Sequence, residues 1–319
     1  MAPQAASASR EMQGESGTAA DVAGARGGEG LDASAFRAIY PRQFYERFLA
    51  EGLRPDGRPL GRARPTSVAL GAVSTANGSA HVKVGETAVL AAVKLEIGSP
   101  KLGKPNEGQV IVNFEQLPLS SPAGTGSSGQ AAKLVEQTSQ RISERLSNVL
   151  EACMVVNLED LCVCAGKSCW VAYVDICCLD ANGGLFDAAL LALVAALGNT
   201  SIPTVMVNAE GAVMPPPKAD KPLKEGNKTM AGRRLVIRSV PLGLTCGMLS
   251  GYMLVDPNAE EEALLSVVIG VVLDADERIA ETYVPGGQCI SMQHLQDCIE
   301  VAKIRSRDVR KLLDQVMAT

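Results

Sequence analysis

Aromatic side chains are scarce, 3% of 319 residues with a single tryptophan, so the interior has to be built from aliphatic groups. Histidine is nearly absent: His81 and His294 are the only two. None of the nine cysteines stands in a Cys-x-x-Cys spacing, which removes the common zinc ligand sets, and no metal or cofactor is expected. Basic charge is not in excess. A net charge of −5 excludes a protein that coats nucleic acid with its whole surface, so any nucleic-acid contact has to come from a local patch. No apolar run reaches the roughly 18 residues of a membrane span, and the N-terminus lacks the basic-then-apolar order of a signal peptide. The expectation is an intracellular chain with no membrane partner.

What is present is apolar content, 46% of the chain, enough for one large or two modest cores. Five cysteines, Cys162, Cys164, Cys169, Cys177 and Cys178, sit in apolar, strand-like sequence and read as small buried hydrophobes rather than a disulfide framework. Residues 1–32 are Ala, Gly, Ser and acidic, and read as a disordered leader. Residues 33–52 read as a docking helix: Phe36, Tyr40, Phe44, Tyr45 and Phe48 recur about once per turn, with Pro41 either in a first turn or breaking the run.

Strands are predicted at 65–74, 79–84, 87–96 and 109–115, with Gly85 supplying a positive φ between the second and third. A helix at 131–152 carries Val135, Ile142, Val149 and Leu150 on one stripe, while Arg141 and Arg145 face elsewhere. Strands at 161–165 and 169–179 lead through Asn182-Gly183-Gly184 into an all-apolar, hence buried, helix at 186–197. The pattern then restarts, with strands at 204–207, 212–214, 234–240, 243–249, 252–255 and 264–273, and a helix from Ser291 to about Met317. The result is an α+β chain with two related lobes, 53–203 and 204–319.

Two segments, Arg54-Pro55-Asp56-Gly57-Arg58 and Gly78-Ser79-Ala80-His81-Val82-Lys83-Val84-Gly85-Glu86-Thr87-Ala88-Val89, resemble the opening of the RNase PH family of phosphate-dependent 3′ exoribonucleases and their exosome-ring relatives. The resemblance covers residues 45–315 and implies the RNase PH fold, of ribosomal protein S5 domain 2-like type, with two lobes of mixed sheet plus helices. It also locates the sites. Where catalytic relatives carry Asp-Gly-Gly-Thr-Arg to hold the attacking phosphate, this chain has Asn182-Gly183-Gly184-Leu185-Phe186. Leu185 replaces the hydroxyl, Phe186 the arginine, and Asp187 adds a charge that would repel phosphate. Where relatives have two aspartates six positions apart, Asp256-Pro257-Asn258-Ala259-Glu260-Glu261-Glu262 leads to Glu262 at the first position and Val268 at the second. A valine can neither bind a cation nor move a proton. The glutamates read independently as a solvated acidic turn.

Loss of both the phosphate arginine and the second carboxylate resembles the non-catalytic ring subunits of the RNA exosome. That resemblance implies partnership with other RNase PH-type exosome ring subunits, RNA-binding cap subunits and nucleases, and contact with single-stranded RNA. The implied work is scaffolding and guidance of 3′-to-5′ processing and decay, in nucleus, nucleolus and cytoplasm. Arg141 and Arg145, one turn apart, are the RNA-binding candidates; Lys218, Lys221, Lys224, Lys228, Arg233 and Arg234 form a second basic run. Two alternatives stay open: an active phosphate-dependent 3′ exoribonuclease, and a GHMP-like small-molecule kinase using the loop from Gly124 to Gly129. Gly166-Lys167-Ser168 imitates the end of a Walker A loop but has Leu161 where the first glycine belongs, and reads as a turn.

Overall fold

A computed structural model describes residues 33–117, 129–208, 213–214, 228–230, 232–286 and 289–318. It divides into two units, one reaching to Leu60 and one starting at Gly61. In the first unit the expected single helix is two: α1 (Ala33–Ile39) and α2 (Pro41–Ala50). Pro41 has no N–H to continue the α1 ladder, so it restarts the helix at the first position of α2. Arg47 lies over the Phe36 ring at 4.5 Å, tying the two helices together. A turn follows in which Asp56 accepts from the Arg58 N–H at 3.0 Å, with Gly57 at φ 80°.

The second unit is built on a six-stranded sheet: β1 (Thr66–Leu70), β2 (Gly78–Val84), β3 (Thr87–Gly98), β4 (Gln109–Gln116), β5 (Cys162–Cys164) and β6 (Ser168–Asp180). Its order is β1-β2-β3-β6-β4, with β5 on β6; β4 runs parallel to β6 and every other pairing is antiparallel. The predicted strands appear with small shifts at their ends, except that β1 stops at Leu70, four residues short of its predicted end, where Gly71 turns with φ 72°. Gly85, at φ 60°, makes the β2–β3 turn, and the Walker look-alike is the β5–β6 turn, with Gly166 at φ 72°. Parallel pairing of β4 and β6 needs a long crossover, supplied by α3 (Gly129–Ala152) and a 3-10 turn at Leu158–Leu161.

Next comes α4 (Leu185–Gly198), with eleven buried residues, lying between this sheet and a second one. The second is four antiparallel strands, β13-β12-β14-β15: β12 (Leu242–Leu249), β13 (Tyr252–Val255), β14 (Val267–Leu273) and β15 (Ile279–Tyr283). An apolar face on all sides is what a helix between two sheets requires, and truncating Leu190 or Leu193 would cost about 2–5 kcal/mol. Two small separate sheets come between the larger ones in the sequence: β8 (Val205–Val207) pairs with both β9 (Val213–Met214) and β10 (Lys228–Met230), and β11 (Arg233–Arg234) pairs with β7 (Ser201–Ile202). The helices α5 (Ala259–Leu264) and α6 (Met292–Ala318) complete the unit, α6 packing on β12, β14 and β1.

Three expectations change. Residues 235–240 form no strand beyond an isolated bridge of Ile237 with Val156, because β11 ends once its partner β7 runs out. Residues 259–264 are helical rather than an acidic turn leading into a strand at 264, since Asn258 and Glu261 form a capping box, and β14 starts only at Val267. Cysteine burial is partial. Cys177 alternates with the buried Ile176 and Cys178 and so sits on the outer sheet face, Cys162 and Cys164 lie on the short β5, and Cys289 is exposed.

Candidate functional site

The head of α4 is where the sequence placed a degenerate phosphate site. Gly183 and Gly184 make the turn into the helix with φ of 75° and 62°. Positive φ is one reason for glycine. Crowding is the other: a Cβ on Gly183 would stand 2.5 Å from the Pro257 carbonyl oxygen, and one on Gly184 2.7 Å from the Arg64 guanidinium.

Arg64, just ahead of β1, drives its guanidinium into this turn. It pairs with Asp256 through Nε at 3.0 Å and Nη2 at 2.6 Å, and its backbone N–H donates to the same carboxylate at 2.7 Å. It also donates to the carbonyl oxygens of Asn182 and Gly183 and to Thr87 Oγ1. Both ion-pair side chains are 6% exposed. Burial works against the charged arginine, but the hydrogen bonds and charge of Asp256 more than offset it and hold the Arg64 pKa above its ordinary value. Asp256 is aimed at Arg64 by a left-handed backbone, φ 52°, which aspartate tolerates better than most residues. Thr87 Oγ1 completes the network, accepting from Asn182 N–H at 3.1 Å and donating to the Gly183 carbonyl at 2.8 Å.

Glu262, on α5, accepts from the Gly184 N–H at 2.8 Å, so the positive end of α4 is met by a carboxylate of the chain itself. Burial raises the Glu262 pKa, opposed by that N–H and by Arg64. The acidic turn is therefore not solvated as expected. Only Glu260 is exposed; Glu261 is buried and accepts across the capping box, because α5 folds against the α4 head. Val268, on β14 opposite Gly247, contributes an aliphatic side chain at the second acidic position.

Asp187 does not face the head of α4. It accepts from the Thr245 N–H on β12 at 2.6 Å and lines a cavity of about 40 Å³ with Asp256, Arg305 and Ser306. Burial, with the nearby charge of Asp256, pushes its pKa up to about 7, so its charge is reduced rather than aimed at a ligand.

Phe186 has a defined partner. The Arg145 guanidinium lies 3.7 Å from its ring centroid and 3.8 Å from that of Tyr283, while Arg145 Nε donates to Glu281 at 2.9 Å. Arg145 therefore does not face away from the packed side of α3 as expected; its side chain is 17% exposed, because a planar cation can sit between two rings. Arg141 is exposed. Of the second basic run, Lys218, Lys221 and Lys224 lie outside the described residues, as do residues 124–128 of the candidate kinase loop; Arg233 donates to the Asp160 carbonyl. Sequence reasoning missed Arg64. Its signal, an arginine just before Pro65 and the first strand, is too common to single out.

Family models match two stretches, described as the 3′ exoribonuclease family, domain 1, over residues 62–203, and domain 2, over residues 239–305. Exosome complex component Rrp42 of Methanopyrus kandleri is 32% identical over 82% of this chain and 91% of its own length. Exosome complex component rrp43 of Schizosaccharomyces pombe is 31% identical over 85% and 94%. This agrees with the order of Leu158-Glu159-Asp160-Leu161-Cys162, Val284-Pro285-Gly286-Gly287 and Leu295-Gln296-Asp297-Cys298, which resembles ribosomal-RNA-processing protein 43. A solved structure described as the Archaeoglobus fulgidus exosome with RNA bound to the active site matches with a TM-score of 0.69 at 27% identity, over 85% of this chain and 96% of that one. With both family domains in order along it, and relatives at this identity over most of its length, the chain belongs to the RNase PH family of 3′ exoribonucleases.

Proposed function

We propose that this chain is a structural, non-catalytic subunit of the RNA exosome ring, scaffolding the assembly and guiding RNA toward 3′-to-5′ processing and decay of ribosomal, messenger and non-coding RNA. The observation that carries the reading is the closure of the α4 head. Glu262 takes the Gly184 N–H, Asp256 takes Arg64, and Arg145 is held by Phe186, Tyr283 and Glu281. Phosphorolysis needs a cation and a free anion cradle for phosphate; here the nearest arginines and the helix N-terminus are satisfied internally. The names of the relatives support the ring assignment, with other RNase PH-type ring subunits, cap subunits, associated nucleases and single-stranded RNA as partners. The proposed setting is nucleus, nucleolus and cytoplasm.

Within that reading, Arg141 is an exposed cation of α3, as is Lys133, and can neutralise an RNA phosphate, while Arg145 supports the fold beneath it. Co-expression with the other RNase PH-type exosome subunits, followed by size exclusion and mass spectrometry of the peak, tests the assignment. A stoichiometric complex is the expected result. A chain that stays monomeric beside soluble partners would overturn it.

A further inference from the structure

Strand β4 is an edge of the six-stranded sheet, and its first half borders a groove of about 530 Å³ whose far wall is the end of α3. Two bonds fix the direction of its backbone. The Gly108 N–H donates to the Leu158 carbonyl at 2.8 Å and the Phe114 N–H to Ser143 Oγ at 2.9 Å, and neither acceptor belongs to β6. Along a strand the backbone groups alternate sides with a period of two. Val110 and Val112, between these residues, therefore turn their N–H and C=O groups away from β6 as well, and both residues line the groove. Among the described residues no acceptor meets either N–H.

A row of alternating donors and acceptors at strand spacing is complementary to one kind of ligand, another extended backbone. The lining adds side-chain preferences. Leu150 and Val156 offer apolar contact, and Met154 stands 68% exposed at the mouth, held in a left-handed conformation at φ 46°. Lys101 and Arg238 are exposed, with no ion pair among the described residues; Lys104 and Glu107, also in the lining, pair with each other at 2.9 Å, and Glu151 and Glu159 face the groove as well. Three cations and three carboxylates leave the groove without the excess positive charge that a nucleic-acid backbone requires, while the two unpaired cations suit one or two carboxylates on a peptide.

We propose that the β4 edge at Val110–Val112 receives a short extended segment of a neighbouring protein subunit, which adds a strand to the sheet, places an apolar side chain against Leu150 and Val156, and sets a carboxylate beside Lys101 or Arg238. The proposal rests on the ring-subunit reading and is tested in the complex formed with the co-expressed RNase PH-type exosome subunits. Hydrogen exchange of the segment 109–116 is compared in the isolated chain and in the complex, and slowing of about tenfold or more is expected on assembly. Val110→Pro deletes one outward N–H that the sheet does not use, so the isolated chain should fold with an unchanged circular dichroism spectrum while the protection is lost. Lys101→Glu with Arg238→Glu, which leaves the backbone intact, should weaken the protection without unfolding. A complex that assembles with exchange at 109–116 unchanged overturns the proposal and leaves the ring reading standing. Protection produced only by added single-stranded RNA overturns it too, and absence of any complex removes both.

Discussion

One carboxylate oxygen of Glu262 lies 2.8 Å from the backbone nitrogen of Gly184, so the donor that opens helix α4 is answered from within the chain. An external phosphate would have to displace a tethered anion and leave the half-buried Glu262 unpaired beside Asp256, where burial and then that charge already raise its pKa. Glu262 is held in place by the fold, so it meets the N–H without the translational and rotational entropy cost that an incoming phosphate has to pay.

Activity follows from that comparison. The chain, with labelled single-stranded RNA, Mg²⁺ and phosphate, should release no nucleoside diphosphates. Glu262→Gln should stay inactive as well, because Phe186 and Val268 still lack the cation and the carboxylate. Phosphate-dependent product above the no-enzyme control in either protein would contradict the assignment.

The Arg64–Asp256 pair is a stability element. Asp256→Ala strands a buried guanidinium and should cost about 3–5 kcal/mol in urea unfolding. Asp256→Asn, which keeps an acceptor, should cost less. Equal losses would mean that charge is irrelevant at this position.

Asp187 gives a pH dependence with a definite sign. Its folded pKa of about 7 lies above the roughly 3.9 of an unfolded aspartate. Between those values the folded chain holds a proton that the unfolded chain has released. The associated stability is complete below about pH 4 and is lost as pH rises through about 7, at no more than about 1.4 kcal/mol per pH unit. Asp187→Asn, which can still accept from Thr245, should flatten the fall in melting temperature between pH 5 and pH 7.5. An unchanged profile would assign the slope to other groups, Glu262 first.

Arg141 and Arg145 should separate cleanly. Arg145→Ala removes two ring contacts and a partly buried ion pair, and should destabilise by about 1–3 kcal/mol. Arg141→Glu should change stability by less than about 0.5 kcal/mol. In the assembled complex it should weaken single-stranded RNA binding and lower the salt slope by about 0.7 for the lost phosphate contact. If Arg141→Glu leaves RNA affinity and slope unchanged, it is ordinary solvated surface.

Much of the fold was legible because the strands alternate and α4 is apolar all round; the 12 residues of β3 and the 14 of α4 appear within two residues of their predicted ends. The α1–α2 break was visible as a question at Pro41 without an answer. What the sequence hid were relationships between distant residues. Arg64 and Asp256 are 192 positions apart, and nothing local marks either as the other's partner. Asp187, four residues before Leu191, looked like an anion beside a phosphate site because its own helix says nothing about which neighbour takes the side chain; Thr245 on β12 decides that. Glu261 and Glu262 looked solvated because three consecutive acids usually are. The burial of Glu261 and the half-burial of Glu262 depend on Asn258 capping α5 and on the N–H that Gly184 presents at the head of α4.

Gly183 and Gly184 also separate the survival of a motif from the survival of its chemistry. Their lack of side chains lets the Pro257–Ala259 segment and the Arg64 guanidinium approach the turn from two directions. A side chain at Gly183 would push the acidic turn off the head of α4, and one at Gly184 would push out the Arg64 guanidinium, whether or not phosphate ever bound there. The glycine pair is thus constrained by architecture alone. Here the Gly-Gly before the buried helix marks where Arg64 and the acidic turn meet α4, while the residues that follow it, Leu185 and Phe186, bear on whether the meeting place can still do chemistry.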